Sequence, residues 1–294
     1  MISTAQLESF AQDGCVVIEN FLDPAEVATL RRRIATLLSE FDPAEHPLTL
    51  FPTANDSQLS ADQYFFDSST KASYFLEHDA VVNGQLVVEP TKAVNKIGHG
   101  LHIVDPVFQQ ITHSRRTQEI AQQLGFRDPR ALQSMVICKQ PNIGGAVPMH
   151  QDSTFLFTDP PSACGFWIAL EDCTLTNGCL HFVPGSHRST PVTHRWVRQP
   201  APEVGTEMVD IEPTFSLYPF KGSKESGLAE PEERAVEVAA GSLVLIHGQV
   251  LHRSLHNYSS ESRWIYTFHI VEGSHSYDDR NWLQMPGKAP LTKL

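Results

Sequence analysis

From Leu132 to Val271 the chain repeats one pattern: a short run rich in β-branched and aromatic side chains, then a cluster of turn-formers. The runs are 132–140, 165–172, 179–184, 235–239, 242–248 and 263–271. Between them lie Pro141-Asn142-Ile143-Gly144-Gly145, Thr176-Asn177-Gly178, Pro184-Gly185-Ser186 and Ala240-Gly241. Proline lacks the ladder N–H and glycine weakens a strand, so each cluster of turn-formers predicts a strand end. Many short strands punctuated in this way exclude a helical bundle and predict an all-β sandwich or barrel.

The first part of the chain carries a different signal. Residues 3–13 and 24–41 have helical spacing, with Val27, Leu30, Ile34, Leu37 and Leu38 recurring at three and four. Asp23 before Pro24 predicts an N-cap followed by proline at the first helical position. Residues 15–21 read as a short strand, 42–95 as irregular chain wrapped over a core, and 106–124 as a helix ending at Gly125. The run Arg31-Arg32-Arg33 reads as a solvated helix face. The segment 198–232, rich in Pro, Gly and Glu, reads as a long functional loop. The expected organisation is one catalytic domain over 1–294, a helical part about 1–125 packed on a β core about 131–272.

Composition narrows the partners. The 294 residues are 41% hydrophobic and 19% charged, as in a soluble globular protein with a sizeable core. A net charge of −12 with no basic run argues against nucleic acid, whose phosphates need clustered Lys and Arg. No apolar stretch reaches membrane-spanning length, and the polar start is no signal peptide. Five cysteines without a CxxC pair fit a reducing intracellular compartment, cytoplasmic first, as buried thiols. The ending Thr292-Lys293-Leu294 is a poor relative of the peroxisomal Ser-Lys-Leu signal. Oligomeric state stays open.

Chemistry enters at 147–157, VPMHQDSTFLF. On a strand, His150 and Asp152 project to one side while Gln151 points away. By itself such a triplet is more often two unrelated polar residues, so a third partner decides. The stretch 247–263 offers His247, His252 and His256. His247 and His252 differ by an odd number, so one continuous strand would send them to opposite faces. Two histidines and a carboxylate with open positions suit non-haem Fe(II). Arg263 opens the next strand, where a guanidinium can hold a dicarboxylate by paired hydrogen bonds. Together these residues predict a 2-oxoglutarate cosubstrate.

The run 149–152 (MHQD), the stretch 177–187 (NGCLHFVPGSH), and His252 with Ser254, Asn257 and Arg263 resemble the phytanoyl-CoA dioxygenase family of Fe(II)/2-oxoglutarate oxygenases. The order and spacing are similar to its subgroup of phytanoyl-CoA dioxygenase domain-containing proteins, from the opening helix to Trp282. The resemblance implies a double-stranded β-helix, a cupin-like jelly roll. It implies His150, Asp152 and His252 as iron ligands, with Arg263 and Ser254 on the far carboxylate of 2-oxoglutarate. Lys96, Met135 and Trp167 match positions that line the cosubstrate pocket. O2 is the oxidant and ascorbate can serve as reductant. Asp152 occupies the carboxylate position that related halogenases give up to a halide, which favours oxygen transfer.

The implied activity is hydroxylation of a small organic substrate, lipid-like or acyl, with release of succinate and CO2. Desaturation or rearrangement on the same iron core is the alternative within enzymes; a metal-binding jelly roll without turnover is the alternative outside them. Several residues have plainer readings. His247 reads as a buried, hydrogen-bonded histidine and His256 as a surface one. His99 and His102 read as satisfying backbone groups, and Asn177-Gly178 as a hairpin turn. Trp167 and Met135 would otherwise be ordinary core residues.

Overall fold

The computed structural model describes residues 2–50, 62–216 and 232–294. Two antiparallel sheets carry the core. The major sheet has the order Cys15–Ile18, Leu243–His247, Cys164–Ala169, Arg263–Glu272, Pro129–Lys139, Val94–His99, Ala72–Leu76, and Thr292–Lys293 pairs with Pro129–Lys139. The minor sheet runs Arg234–Val236, Leu180–Phe182, His252–Ser254, Val147–His150. From Pro129–Lys139 to Arg263–Glu272 the chain passes repeatedly between the two sheets. The architecture is a double-stranded β-helix.

Strand alternation divides the major sheet into two chemistries. Val136, Cys138, Phe166, Ile168, Leu243, Leu245, Tyr266 and Phe268 share the outer core with Leu30, Ile34, Phe108, Ile111 and Ile120 from the helices. Trp167, Ala169, Val244, Ile246 and Ile265 turn inward and pack on Leu180, Phe182 and Val236 of the minor sheet. Mainly β structure with N-terminal helices is therefore what the strand runs predicted.

The helices form for local reasons. In Pro24–Glu40 the Asp23 carboxylate accepts from the backbone N–H of Ala25 and Glu26, both at 2.8 Å, while Glu26 accepts from Asp23 N–H at 2.9 Å. This capping box satisfies donors that the first turn leaves over. The buried stripe Val27, Leu30, Ile34, Leu37, Leu38 is the one the spacing predicts. The arginines depart from expectation: Arg31 pairs with Glu171 at 2.9 Å and Arg33 with Asp105 at 2.6 Å, so two of the three tie the helix to its surroundings.

Other expectations need correction. The 106–124 helix is two, Pro106–Thr112 and Arg115–Gln123, because Ser114 adopts extended backbone and caps the second through Thr117 N–H at 3.3 Å. Within 42–95, whose residues 51–61 lie outside the described residues, Ala72–Leu76 and Val94–His99 extend the major sheet. Within 198–232, Thr206–Thr214 pairs with Val192–Arg198 as an antiparallel ribbon, and 217–231 lie outside the described residues. That ribbon strand has mostly half-buried and exposed positions, so it carries no apolar run to detect. Asn177-Gly178 is a turn but not a hairpin, since the flanking strands Cys164–Ala169 and Leu180–Phe182 belong to different sheets. The Asn177 side chain closes it, accepting from Thr174 N–H and donating to Asp172 O, both at 2.8 Å.

Phe166 is fully buried and stacks on Phe268, ring centroids 4.8 Å apart. Phe166→Ala should cost about 3–5 kcal/mol of stability, read as a lower denaturant midpoint.

Candidate metal centre and cosubstrate pocket

His150 is the last residue of Val147–His150, and the ladder pairs it directly with His252 on the neighbouring strand. Opposed residues share a face, and the two rings lie 4.2 Å apart. Asp152 is not on the strand. It opens a single helical turn, Asp152–Phe155, pinned to the loop before His252 by Ser153 N–H on Gly248 O at 2.8 Å. The convergence with His150 thus comes from a strand end followed by a turn, and strand alternation was the wrong reason for it. Gln151 does point away, donating to Thr190 O at 2.9 Å and Gln249 O at 2.7 Å.

Asp152 Oδ1 lies 3.5 Å from His150 Nε2 and 3.7 Å from His252 Nε2. All three residues offer ligand atoms within 4.8 Å of one another. Two bonds of about 2.1 Å at right angles place their donor atoms about 3 Å apart, so the spacing fits a first-row metal ion. Each imidazole is set for it. His150 Nδ1 meets Pro148 O at 2.8 Å and His252 Nδ1 meets Val250 O at 3.0 Å. A carbonyl only accepts, so the proton sits on Nδ1 and the Nε2 lone pair faces Asp152. Burial pushes the His252 pKa down to about 4, helped by His150, which keeps the ring neutral at neutral pH. Burial acts to raise the Asp152 pKa, but His269 and His252 overcome it and hold the carboxyl well below its usual range.

The inner face of the major sheet carries the other predicted residues. Met135 and Trp167 both stand opposite Thr267 in the ladder, and Lys96 stands opposite Ile137. Arg263 stands opposite Lys139 at the end of the same face. Ser254 is two residues from His252 on the minor sheet, sharing its parity, and is 5% exposed.

Arg263 is 1% exposed and lies over the Trp167 ring at 5.4 Å. Its buried Nε has no hydrogen-bond partner, and among the described residues no carboxylate reaches it at ion-pair distance. A buried guanidinium without a counter-charge is costly unless a ligand supplies one. Two further cations share the region. Burial pulls the Lys96 pKa down to about 7, with Glu77 opposing and Arg263 contributing. Lys139 donates to Gly145 O and to Leu255 O, the latter at 2.7 Å, and so links the approach to His150 with the exit from His252. Asn257 completes that link, its Nδ2 donating to the carbonyls of Lys139, Gln140 and Glu261 at 3.1, 3.2 and 2.8 Å. The chemistry suits a dianionic chelator of a divalent ion.

The rival histidines go elsewhere. His247 ends Leu243–His247 in the major sheet while His252 begins a strand in the minor one, so the parity argument does not apply. His247 accepts from Gln249 N–H at 3.1 Å and packs on His187. His256 stacks on Tyr258, centroids 4.2 Å apart. His99 meets the hydroxyl of Ser68 at 2.7 Å and His102 that of Ser134 at 2.8 Å. All five cysteines are free and buried. Sequence reading missed Lys139 and His269. Both fall on the inward parity of their strands, where a polar residue among apolar ones is the available signal.

Solved structures share this fold. EctD from S. alaskensis with 2-oxoglutarate and 5-hydroxyectoine superposes with a TM-score of 0.61 at 22% identity, covering 98% of this chain and 82% of that one. The epimerase SnoN from nogalamycin biosynthesis, with Fe3+ and alpha ketoglutarate, gives 0.60 at 17% identity over 99% and 94%. Fold, donor set and buried guanidinium define a non-haem iron, 2-oxoglutarate-dependent dioxygenase. More specifically, residues 10–265 match the phytanoyl-CoA dioxygenase (PhyH) family model, and the chain belongs to that family. It is 41% identical to phytanoyl-CoA dioxygenase domain-containing protein 1 of Bos taurus, over 100% of this chain and 98% of that protein. The homologue of that protein in Caenorhabditis elegans is 40% identical over 94% of each chain. A phytanoyl-CoA dioxygenase of Arabidopsis thaliana is 39% identical over 95% and 92%.

Asn257 is fully buried. Asn257→Ala strips three carbonyls of their donor and should cost about 2–3 kcal/mol, seen as a lower thermal midpoint of the metal-free protein.

Proposed function

We propose that His150, Asp152 and His252 bind Fe(II) and that Arg263 and Ser254 bind the far carboxylate of 2-oxoglutarate, with Lys96, Met135 and Trp167 lining the cosubstrate pocket. The observation that carries the reading is a pair of complementary features on the inner faces of the two sheets: a two-histidine, one-carboxylate set, and a buried guanidinium that has no anion of its own among the described residues. Iron, 2-oxoglutarate and O2 would supply the oxidising chemistry when bound, the two oxygen atoms going to succinate and to the substrate as CO2 leaves. The chain's own contribution is placement. Pro148 O and Val250 O fix the imidazoles, the Trp167 ring underlies the guanidinium, and the two packed sheets exclude water.

The substrate in this reading is a small organic molecule with an apolar or acyl body, which becomes hydroxylated. Support comes from the wall beside His150. Phe155 lies 6.0 Å from the His150 ring, Trp196 lies 5.8 Å from Phe155, and Phe65 lies 5.5 Å from Trp196. Phe155 and Trp196 are half-buried and so offer apolar surface. Rearrangement is the second reading, because structures described as an epimerase and a carbocyclase share this fold. A buried Arg263 unpaired among the described residues argues against a metal-binding protein without turnover, which has no use for a dicarboxylate clamp. An intracellular setting agrees with five free, buried cysteines, and no described helix is long and apolar enough to cross a membrane.

Purified protein with Fe(II), ascorbate and 2-oxoglutarate should release succinate, and Asp152→Ala should abolish release while the protein stays folded by circular dichroism. Undiminished succinate from Asp152→Ala would refute the ligand assignment. Arg263→Ala should weaken 2-oxoglutarate binding by about 2–3 kcal/mol, on the order of fifty-fold, in anaerobic titration, with Fe(II) affinity little changed.

A further inference from the structure

We infer that His269 is a positioning residue for the metal centre: it holds Asp152 so that one carboxylate oxygen alone faces the two ligand imidazoles. The inference rests on the ligand set proposed above and adds a residue to it. His269 lies on Arg263–Glu272, six residues beyond Arg263, so it shares that residue's inward parity. Its Nε2 is 3.2 Å from Asp152 Oδ2, and its Nδ1 is 3.2 Å from Gln133 Nε2. An amide nitrogen only donates, so His269 Nδ1 accepts and its proton sits on Nε2, aimed at Oδ2. The result is a directed chain, Gln133 to His269 to Asp152, across two strands and a turn.

The two carboxylate oxygens therefore have different duties. Oδ2 is taken by His269, while Oδ1 faces His150 Nε2 at 3.5 Å and His252 Nε2 at 3.7 Å. Asp152 sits on a short turn rather than in a sheet ladder, so the backbone alone fixes its side chain less firmly than it fixes His150. A rotation of the carboxylate that brought both oxygens toward the imidazoles would break the His269 bond. Monodentate presentation leaves room for a chelating cosubstrate and for O2 on the open side. Gly165 stands opposite His269 in the ladder, and a Cβ there would come to 3.3 Å from His269 Nε2 and 3.5 Å from Asp152 Oδ2. A residue without a side chain keeps the space in which the pair meets. His269 is 7% exposed, and its ring nitrogens meet Gln133 and Asp152, so its role runs through Asp152.

The test uses the metal-free full chain and four proteins: wild type, His269→Phe, His269→Gln and Gln133→Leu. Anaerobic Fe(II) titration gives the dissociation constant, and the visible charge-transfer band of the Fe(II)–2-oxoglutarate complex reports ligand geometry. His269→Phe removes the donor while filling the space, and should weaken Fe(II) binding about ten- to a hundredfold and shift the band. His269→Gln returns an N–H within reach of Oδ2 and should recover most of the affinity. Gln133→Leu leaves the imidazole in place but frees its tautomer, and should give a smaller loss in the same direction; it also serves if His269→Phe does not fold. Wild-type affinity and an unmoved band in His269→Phe or, failing that variant, in Gln133→Leu would overturn the inference while leaving the ligand set intact. Failure of the wild type itself to bind Fe(II) would overturn both.

Discussion

Asp152 is a carboxylate buried among three imidazoles, and most of what is distinctive in this molecule follows from keeping that charge where it is. A buried carboxylate is expensive unless its oxygens are occupied. Here His269 occupies one, and the other looks at the Nε2 atoms of two imidazoles whose protons sit on Nδ1, committed to backbone carbonyls. Imidazoles arranged in that way have lone pairs and no proton to give. The cluster is completed electrostatically by a cation, which is what a divalent metal supplies.

The same logic operates with opposite sign deeper along the inner face. Arg263, Lys139 and Lys96 are buried together, and Lys139 is satisfied by carbonyls rather than by a carboxylate. Glu77 offsets part of the field and also accepts from Gly145 N–H at 3.0 Å, on the segment that leads to His150. The buried charges are thus negative around Asp152 and positive around Arg263. A dicarboxylate that chelates a metal with one end and meets a guanidinium with the other matches both. Family membership and this placement of buried charge, reached by separate routes, agree on 2-oxoglutarate.

Much of this was legible in the chain, for identifiable reasons. Core strands such as Leu243–His247 and Cys164–Ala169 announce themselves because both faces are apolar, one toward helices and one toward the minor sheet. Arg263 could be placed because it opens a strand, and parity then assigns it a face. What stayed hidden depends on contacts between distant segments. Ala72–Leu76 and Val94–His99 are edge additions whose pairing, not their composition, makes them strands. Thr206–Thr214 is half solvated. His150 and Asp152 were paired for a reason the backbone does not follow, since the strand stops between them. His269 was the largest omission at the site: the position is visible by parity, but its partner Asp152 is 117 residues away.

The most direct measurement is a crystal structure grown without oxygen in the presence of Fe(II) and 2-oxoglutarate. The account predicts iron bonded to Nε2 of His150, Nε2 of His252 and a single oxygen of Asp152, with the far carboxylate of the cosubstrate bound by Arg263. Iron held by other side chains, or 2-oxoglutarate lying with both carboxylates away from Arg263, would contradict it.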